Sequence, residues 1–150
     1  MLALTFQIDN SRVALDVRQI SLVVPRVPLE RVAGAPPWLA GVFVYAQNVV
    51  PVIDLHRLLG AGDCPQQLSS RIILLPWPQA GGTEGSLGLL AAHVSEIHEI
   101  THSSVEPAGA VTRPELGPAI IDRGEITRLL DIDRLLTPSI REQLAGVCTA

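Results

Sequence analysis

The sequence predicts a mainly β protein built as two similar small barrels, and three observations carry that prediction. Leu, Ile and Val supply 48 of the 150 residues while charged residues make up 17%, which excludes an intrinsically disordered chain. The apolar residues come in short runs punctuated by Gly and Pro, 12 of each. That spacing suits small barrels better than a parallel sheet with crossover helices. The chain also repeats itself. Val52-Ile53-Asp54-Leu55-His56-Arg57-Leu58-Leu59 matches Leu129-Leu130-Asp131-Ile132-Asp133-Arg134-Leu135-Leu136 at an offset of 77 residues. The same offset sets Val13-Ala14 on Leu90-Ala91, Val17 on Val94, Ile20 on Ile97, and Val42-Phe43-Val44 on Ala119-Ile120-Ile121. One offset serving several separated segments implies two lobes of about 75 residues, built alike.

The elements follow in order. Leu2 to Ile8 reads as a strand, Asp9-Asn10-Ser11 as a turn, and Arg12 to Asp16 as a second strand. Val17 and Ile20 are spaced for one helical turn with two apolar anchors on one face. Leu22 to Val24 continues as a strand until Pro25, and Gly34-Ala35-Pro36-Pro37 breaks the chain before Gly41 to Tyr45. Ala46-Gln47-Asn48 is a hairpin turn, Val49 to Ile53 its return strand, and Leu55 to Leu59 a short helix stopped by Gly60. The second lobe is expected to repeat the plan. Arg71 to Leu75 is a strand ending at Pro76, Gln79 to Gly85 a loop, and Ser86 to Ala92 a strand leading to a turn around Val94 and Ile97. Glu99 to Val105 reads as a strand, 106–118 as irregular, and Ala119 to Asp122 with Glu125 to Leu130 as a hairpin turning at Arg123-Gly124. Thr137 is the expected N-cap and Pro138 the first residue of a terminal helix whose Ile140 and Leu144 share a face. The expected organisation is a single domain over 1–150: lobe one at about 12–68 plus the chain ends, lobe two at about 69–136, and the C-terminal helix at 137–150.

Composition narrows the function. The net charge is −4, and all 11 basic residues are scattered Arg, so no basic stripe exists for nucleic acid. Five aromatics without interleaved basic residues give no stacking platform for single strands. No apolar run approaches the ~18–20 residues that span a bilayer, and no signal peptide is read at the N-terminus, so a cytoplasmic protein is expected. Cys64 and Cys148 have no metal-ligand pattern around them and read as free thiols.

Catalytic chemistry finds little support. His98 and His102 on one strand would sit ~13 Å apart, too far to share a zinc ion with His93 or His56. Asp54 and Asp131, each just before a short helix, read as N-caps more readily than as an acid–base pair. No phosphate loop or nucleophile elbow is present. The sequence assigns no catalytic residue, no metal and no cofactor.

A resemblance does appear. Val32-Ala33-Gly34-Ala35-Pro36-Pro37-Trp38-Leu39-Ala40-Gly41-Val42, continued by Val49-Val50-Pro51-Val52-Ile53-Asp54-Leu55, resembles the CheW-like domain, as do Arg12 to Val17 and Leu129 to Leu136. The resemblance spans about Leu4 to Leu136 and implies two five-stranded SH3-like barrels with short helices around a shared apolar interior. It also implies a non-enzymatic adaptor that couples the cytoplasmic tip of a chemoreceptor-type protein to the regulatory domain of a CheA-type histidine kinase. Such an adaptor would be recruited to membrane arrays through its partners, with weak self-association. Carried over by residue, Ile20, Gly41, Ala46, Gln47 and Gly124 are the receptor-binding candidates, and Leu22 and Val24 the kinase-binding candidates. For Gly41 and Gly124 a backbone requirement competes with contact; for Ile20, Leu22 and Val24, core packing does. The family pattern Asn-Leu-Arg-Gly after Gly-Val is here Val44-Tyr45-Ala46-Gln47. The loss of a bidentate Arg points to an alternative chemosensory pathway, for example of the Wsp type. The rival readings are a small-molecule-binding sensory barrel and, more remotely, a histidine-assisted metalloenzyme.

Overall fold

Among the described residues, ten short strands alternate with turns in the order the sequence predicts, and they sort into two five-stranded sheets. The computed structural model describes residues 1–78, 84–100 and 116–148. In chain order the strands are β1 (Leu2–Ile8), β2 (Ser11–Asp16), β3 (Leu22–Pro25), β4 (Leu39–Tyr45), β5 (Asn48–Asp54), β6 (Arg71–Pro78), β7 (Glu84–Ala91), β8 (Ile97–Glu99), β9 (Leu116–Asp122) and β10 (Glu125–Leu130). A 3-10 turn, Val17–Gln19, joins β2 to β3, and the helices are α1 (Leu55–Leu58), α2 (Ile132–Leu135) and α3 (Pro138–Cys148).

One sheet runs β8-β1-β2-β10-β9 and the other β3-β6-β7-β5-β4. Substituting β6 for β1, β7 for β2, β3 for β8, β5 for β10 and β4 for β9 turns the first order into the second. Each repeat therefore leaves two strands in one sheet and sends three to the other. The two repeats meet twice in each sheet: at a parallel contact, β2 with β10 and β5 with β7, and at an antiparallel one, β1 with β8 and β3 with β6. The lobes consequently do not divide at 68/69: β6 and β7 share a sheet with β3, β4 and β5, while β2 lies with β10.

The 77-residue offset carries β4 onto β9 and α1 onto α2 end for end. It does not hold upstream. Leu129 lies opposite Ala14 in one sheet and Val52 opposite Gly88 in the other, so the structural counterpart of Ala14 is Gly88, at an offset of 74. Ile20 then corresponds to Val94, and Ile97 lies in β8, 56% exposed, instead of anchoring a helical turn. The strand expected at Glu99 to Val105 is β8, which begins two residues earlier; residues 101–105 lie outside the described residues. Strand β6 also runs past Pro76 to Pro78. Its pairing to β3 covers only Arg71 to Leu74, so Pro76 sits where one side of the strand is unpaired and a missing N–H costs nothing.

The largest apolar cluster lies between the sheets. It contains Phe6, Leu15, Ile53, Ile73, Leu89 and, from α3, Leu144. A second cluster fills the curl of the β3–β7 sheet around Val52, Ile72, Leu74 and Leu90, and a third fills the other sheet around Ala3, Ala14, Ile100 and Ile120. Both faces of the inner strands are thus buried, which explains their nearly unbroken apolar runs. Among the described residues, neither sheet closes through strand pairing of its two ends. In the β3–β7 sheet, Glu30 and Val42 exchange backbone hydrogen bonds of 2.9 and 2.8 Å, joining the segment after β3 to β4. In the other sheet, His98 of β8 meets Asp122 of β9 at 2.6 Å, with Arg12 of β2 at 3.3 Å from the same carboxylate oxygen.

The caps follow the sequence reading. Asp54 Oδ1 accepts from His56 N and Arg57 N at 2.9 and 3.3 Å, while Oδ2 accepts from Cys64 N at 3.0 Å. Among the described residues Asp131 accepts one backbone bond, from Arg134 N at 3.3 Å, and lies 3.5 Å from Arg134 Nε. Thr137 Oγ1 caps α3 by accepting from Ile140 N.

Candidate functional site

Three of the receptor-side candidates lie on the β4–β5 hairpin. Gly41 sits at the β-bulge between Leu39 and Val42 with φ +151°, and a Cβ there would lie 2.7 Å from Glu30 O and 2.9 Å from Leu29 Cβ. The backbone bridge to Glu30 demands this glycine, so its role is conformational. Ala46 and Gln47 form the two-residue tip between Tyr45 and Asn48, with φ of +50° and +68°. Two successive left-handed residues are the turn that matches the twist of a hairpin. Both side chains are exposed.

Gly124 stands at the tip of the β9–β10 hairpin in the other sheet, with φ +78°, and Arg123 beside it has φ +52°. It is the counterpart of Gln47, not its neighbour. The Arg-Gly pair missing from the first tip is thus present at the second, where Arg123 pairs with Glu96 at 2.9 Å. Gln47 occupies a conformation that costs L residues ~1–2 kcal/mol. Gln47→Gly is expected to raise stability by about 0.5–1 kcal/mol after its added unfolded-state entropy. Thermal unfolding should show a Tm roughly 1–4 °C higher; an unchanged or lower Tm would mean that the turn is not strained.

The remaining candidates flank β3. Ile20 is half-buried, packs on the central cluster and donates its N–H to Val17 O at 3.1 Å. Val24 packs into the second cluster, whereas Leu22 is 45% exposed. Among the described residues strand β3 is an edge bonded only to β6, and of the two kinase-side candidates Leu22 offers the more apolar surface.

Sequence reasoning missed a further pair of features. Val44 faces Val49 across the first hairpin, and Ile121 faces Ile126 across the second. All four are exposed, Val44 by 70% and Ile126 by 63%. The 77-residue offset relates the two pairs, so the repeat itself carried the signal. Direct cross-strand pairs of this kind hold the hairpin arms together while presenting apolar surface.

Of the polar residues considered for catalysis, His56, His98, Asp54 and Asp131 have structural partners, and His93 is exposed with φ +51°. His56 is buried, and desolvation pushes its imidazole below the ordinary histidine pKa. Nε2 of the neutral ring accepts from Ala92 N at 3.2 Å. Burial raises the Cys64 thiol to about 11, with Asp54 adding to the shift, so it is no thiolate at neutral pH. Among the described residues no group of three or more His, Cys, Asp or Glu side chains is placed to hold a metal ion, and no helix is long and apolar enough to cross a membrane. His102 lies outside the described residues.

Comparison with known proteins accounts for this architecture. The family model described as the CheW-like domain matches residues 2–139. The chain belongs to the CheW-like family. That family comprises non-enzymatic scaffold and coupling proteins of chemosensory systems. The chemotaxis protein CheW of Thermotoga maritima (strain ATCC 43589 / DSM 3109 / JCM 10099 / NBRC 100826 / MSB8) is 23% identical over 135 residues, covering 89% of this chain and 85% of the relative. The crystal structure of the scaffolding protein TtCheW from Thermoanaerobacter tengcongensis superposes with a TM-score of 0.76 at 22% identity, covering 93% of this chain and 89% of that one. This likeness establishes the CheW-like fold, with each five-stranded unit here an incompletely closed barrel.

Proposed function

We propose that this CheW-like protein is an adaptor holding the cytoplasmic tip of a chemoreceptor-type protein and the regulatory domain of a CheA-type histidine kinase in one geometry. The observation that carries this reading is the CheW-like domain running through residues 2–139. The exposed apolar pairs on the two hairpins and Leu22 on the β3 edge support it, because interfaces pair an apolar centre with a polar rim. Leu22 serves the kinase side. The tip at Ala46 and Gln47 serves the receptor side, with Ile20 and Val24 supporting these surfaces from beneath. The protein works in the cytoplasm, reaches the membrane through its partners, and, lacking the tip Arg, belongs to an alternative chemosensory pathway.

Calorimetric titration with the kinase regulatory domain and with the receptor tip tests this. Saturable kinase binding is expected, with about 800 Å² buried per partner. Leu22→Asp should weaken it about tenfold by placing a charge in the interface, with Tm changed by no more than a few degrees. Binding to neither partner at high micromolar concentration overturns the proposal.

A further inference from the structure

We propose that the cleft beneath the β3–β4 connection is a binding site for a small organic anion, its phosphate or carboxylate group held by Arg26 and Arg31. The proposal is independent of the adaptor reading. The cleft has a volume of about 730 Å³ and lies within one sheet unit, walled by the β3–β4 segment, α1 and the loop after it. That volume suits a ligand as large as a nucleotide. Three guanidinium groups line it, those of Arg26, Arg31 and Arg57, together with the carboxylates of Asp54 and Asp63.

The two carboxylates are already engaged. Asp63 pairs with Arg57 Nε at 2.7 Å, and Asp54 is buried under three backbone N–H groups. Among the described residues, neither Arg26 nor Arg31 pairs with a carboxylate. Half-buried Arg26 donates only to the carbonyls of Pro65 and Cys64, at 3.2 and 3.5 Å. Arg31 makes no hydrogen bond or ion pair among the described residues. Three guanidinium groups against two carboxylates leave the cleft with a net charge of +1 in a chain of net charge −4, and Arg57 takes both carboxylates, which leaves the donors of Arg26 and Arg31 for a ligand. An anion entering it would meet planar donors suited to bidentate recognition of phosphate or carboxylate, with Leu29 and Val32 available to its apolar body.

The internal repeat separates these two residues from the fold's requirements. Asp54 and Arg57 recur as Asp131 and Arg134, so that pair belongs to the shared framework. Arg26 and Arg31 do not recur. At offsets of 74 to 77 their counterparts fall within residues 100–108, a segment with neither Arg nor Lys. The fold is built twice; this arginine pair is built once.

The test is calorimetric titration of the full chain with pyrophosphate and, separately, with citrate, at an ionic strength held constant with chloride. Saturable binding of at least one is expected, and which one binds tells phosphate from carboxylate recognition. Arg31→Gln, at an exposed position, should weaken it about tenfold with an unaltered Tm, and Arg26→Gln combined with Arg31→Gln should abolish it. Arg134→Gln, at the equivalent of Arg57 in the other repeat, should leave it unchanged. No saturation by either probe, or equal binding by Arg31→Gln and the native chain, overturns the proposal. Neither result bears on kinase or receptor binding.

Discussion

Replacing Asp54 with Ala is expected to destabilise the protein by about 3–4 kcal/mol, and the same replacement at Asp131 by only about 1 kcal/mol. The two residues are equivalent in the repeat, and both cap a four-residue helix. Their surroundings differ. Asp54 is 4% exposed and ties Cys64 N, ten residues away, to the helix start. Removing it orphans three donors, two of the three bonds being buried. Asp131 is half-buried and holds one backbone N–H at 3.3 Å, which water can replace. Chemical denaturation of both variants decides the matter, since a cap-only role for Asp54 would make the two losses equal. At roughly 2–4 °C per kcal/mol for a chain of this size, the Asp54 variant should melt about 6–16 °C lower.

Asp122→Ala should cost about 3–5 kcal/mol, the usual loss when a buried carboxylate is taken from its charged and hydrogen-bonded partners, here Arg12 and His98. His98 and Asp122 are 7% and 5% exposed, and their contact joins β8 to β9, the two ends of one sheet. The truncation leaves His98 without its buried partner and releases those ends. It also removes the Arg12–Asp122 contact at 3.3 Å, although Arg12 keeps Glu125 at 2.7 Å. His98→Leu combined with Asp122→Leu should recover more than half of the loss, because apolar groups of similar volume can replace a buried pair. If the double variant is as unstable as Asp122→Ala, the pair supplies something that packing does not, and this account of the closure is wrong.

The mainly β character, the duplication and most strand positions were legible in the sequence because they rest on local signals: apolar runs, Gly and Pro breaks, and caps at Asp54, Asp131 and Thr137. The division into lobes was not legible. Nothing in the residues of β6 and β7 states which sheet they join, and consecutive segments are the natural default for a boundary. The three-residue change in offset upstream of β4 was hidden for a related reason. Val13-Ala14 matches Leu90-Ala91 as apolar letters, while the pairing register sets Ala14 against Gly88. Of the candidate site, the turn at Ala46 and Gln47 was readable from composition. The exposure of Val44 and Ile121 was not, because an apolar residue at a hairpin end has the same sequence signature whether it faces core or water.

The exchange of strands between the repeats has a mechanical meaning. The backbone leaves one sheet at Asp16 and enters the other at Leu22, across a single 3-10 turn, and it crosses back between Ala91 and Ile97. The β3–β7 unit is one continuous stretch, Leu22 to Ala91, whereas the other unit takes β1 and β2 from before it and β8 to β10 from after it, so that second unit cannot be completed until the first has been spanned. Stress applied to one unit travels to the other through covalent bonds as well as through side-chain packing. The molecule is one unit inserted into the other and tethered at both ends of the insert, with a shared apolar cluster between them, a construction that resists hinging and keeps surfaces on opposite units at a fixed separation and angle.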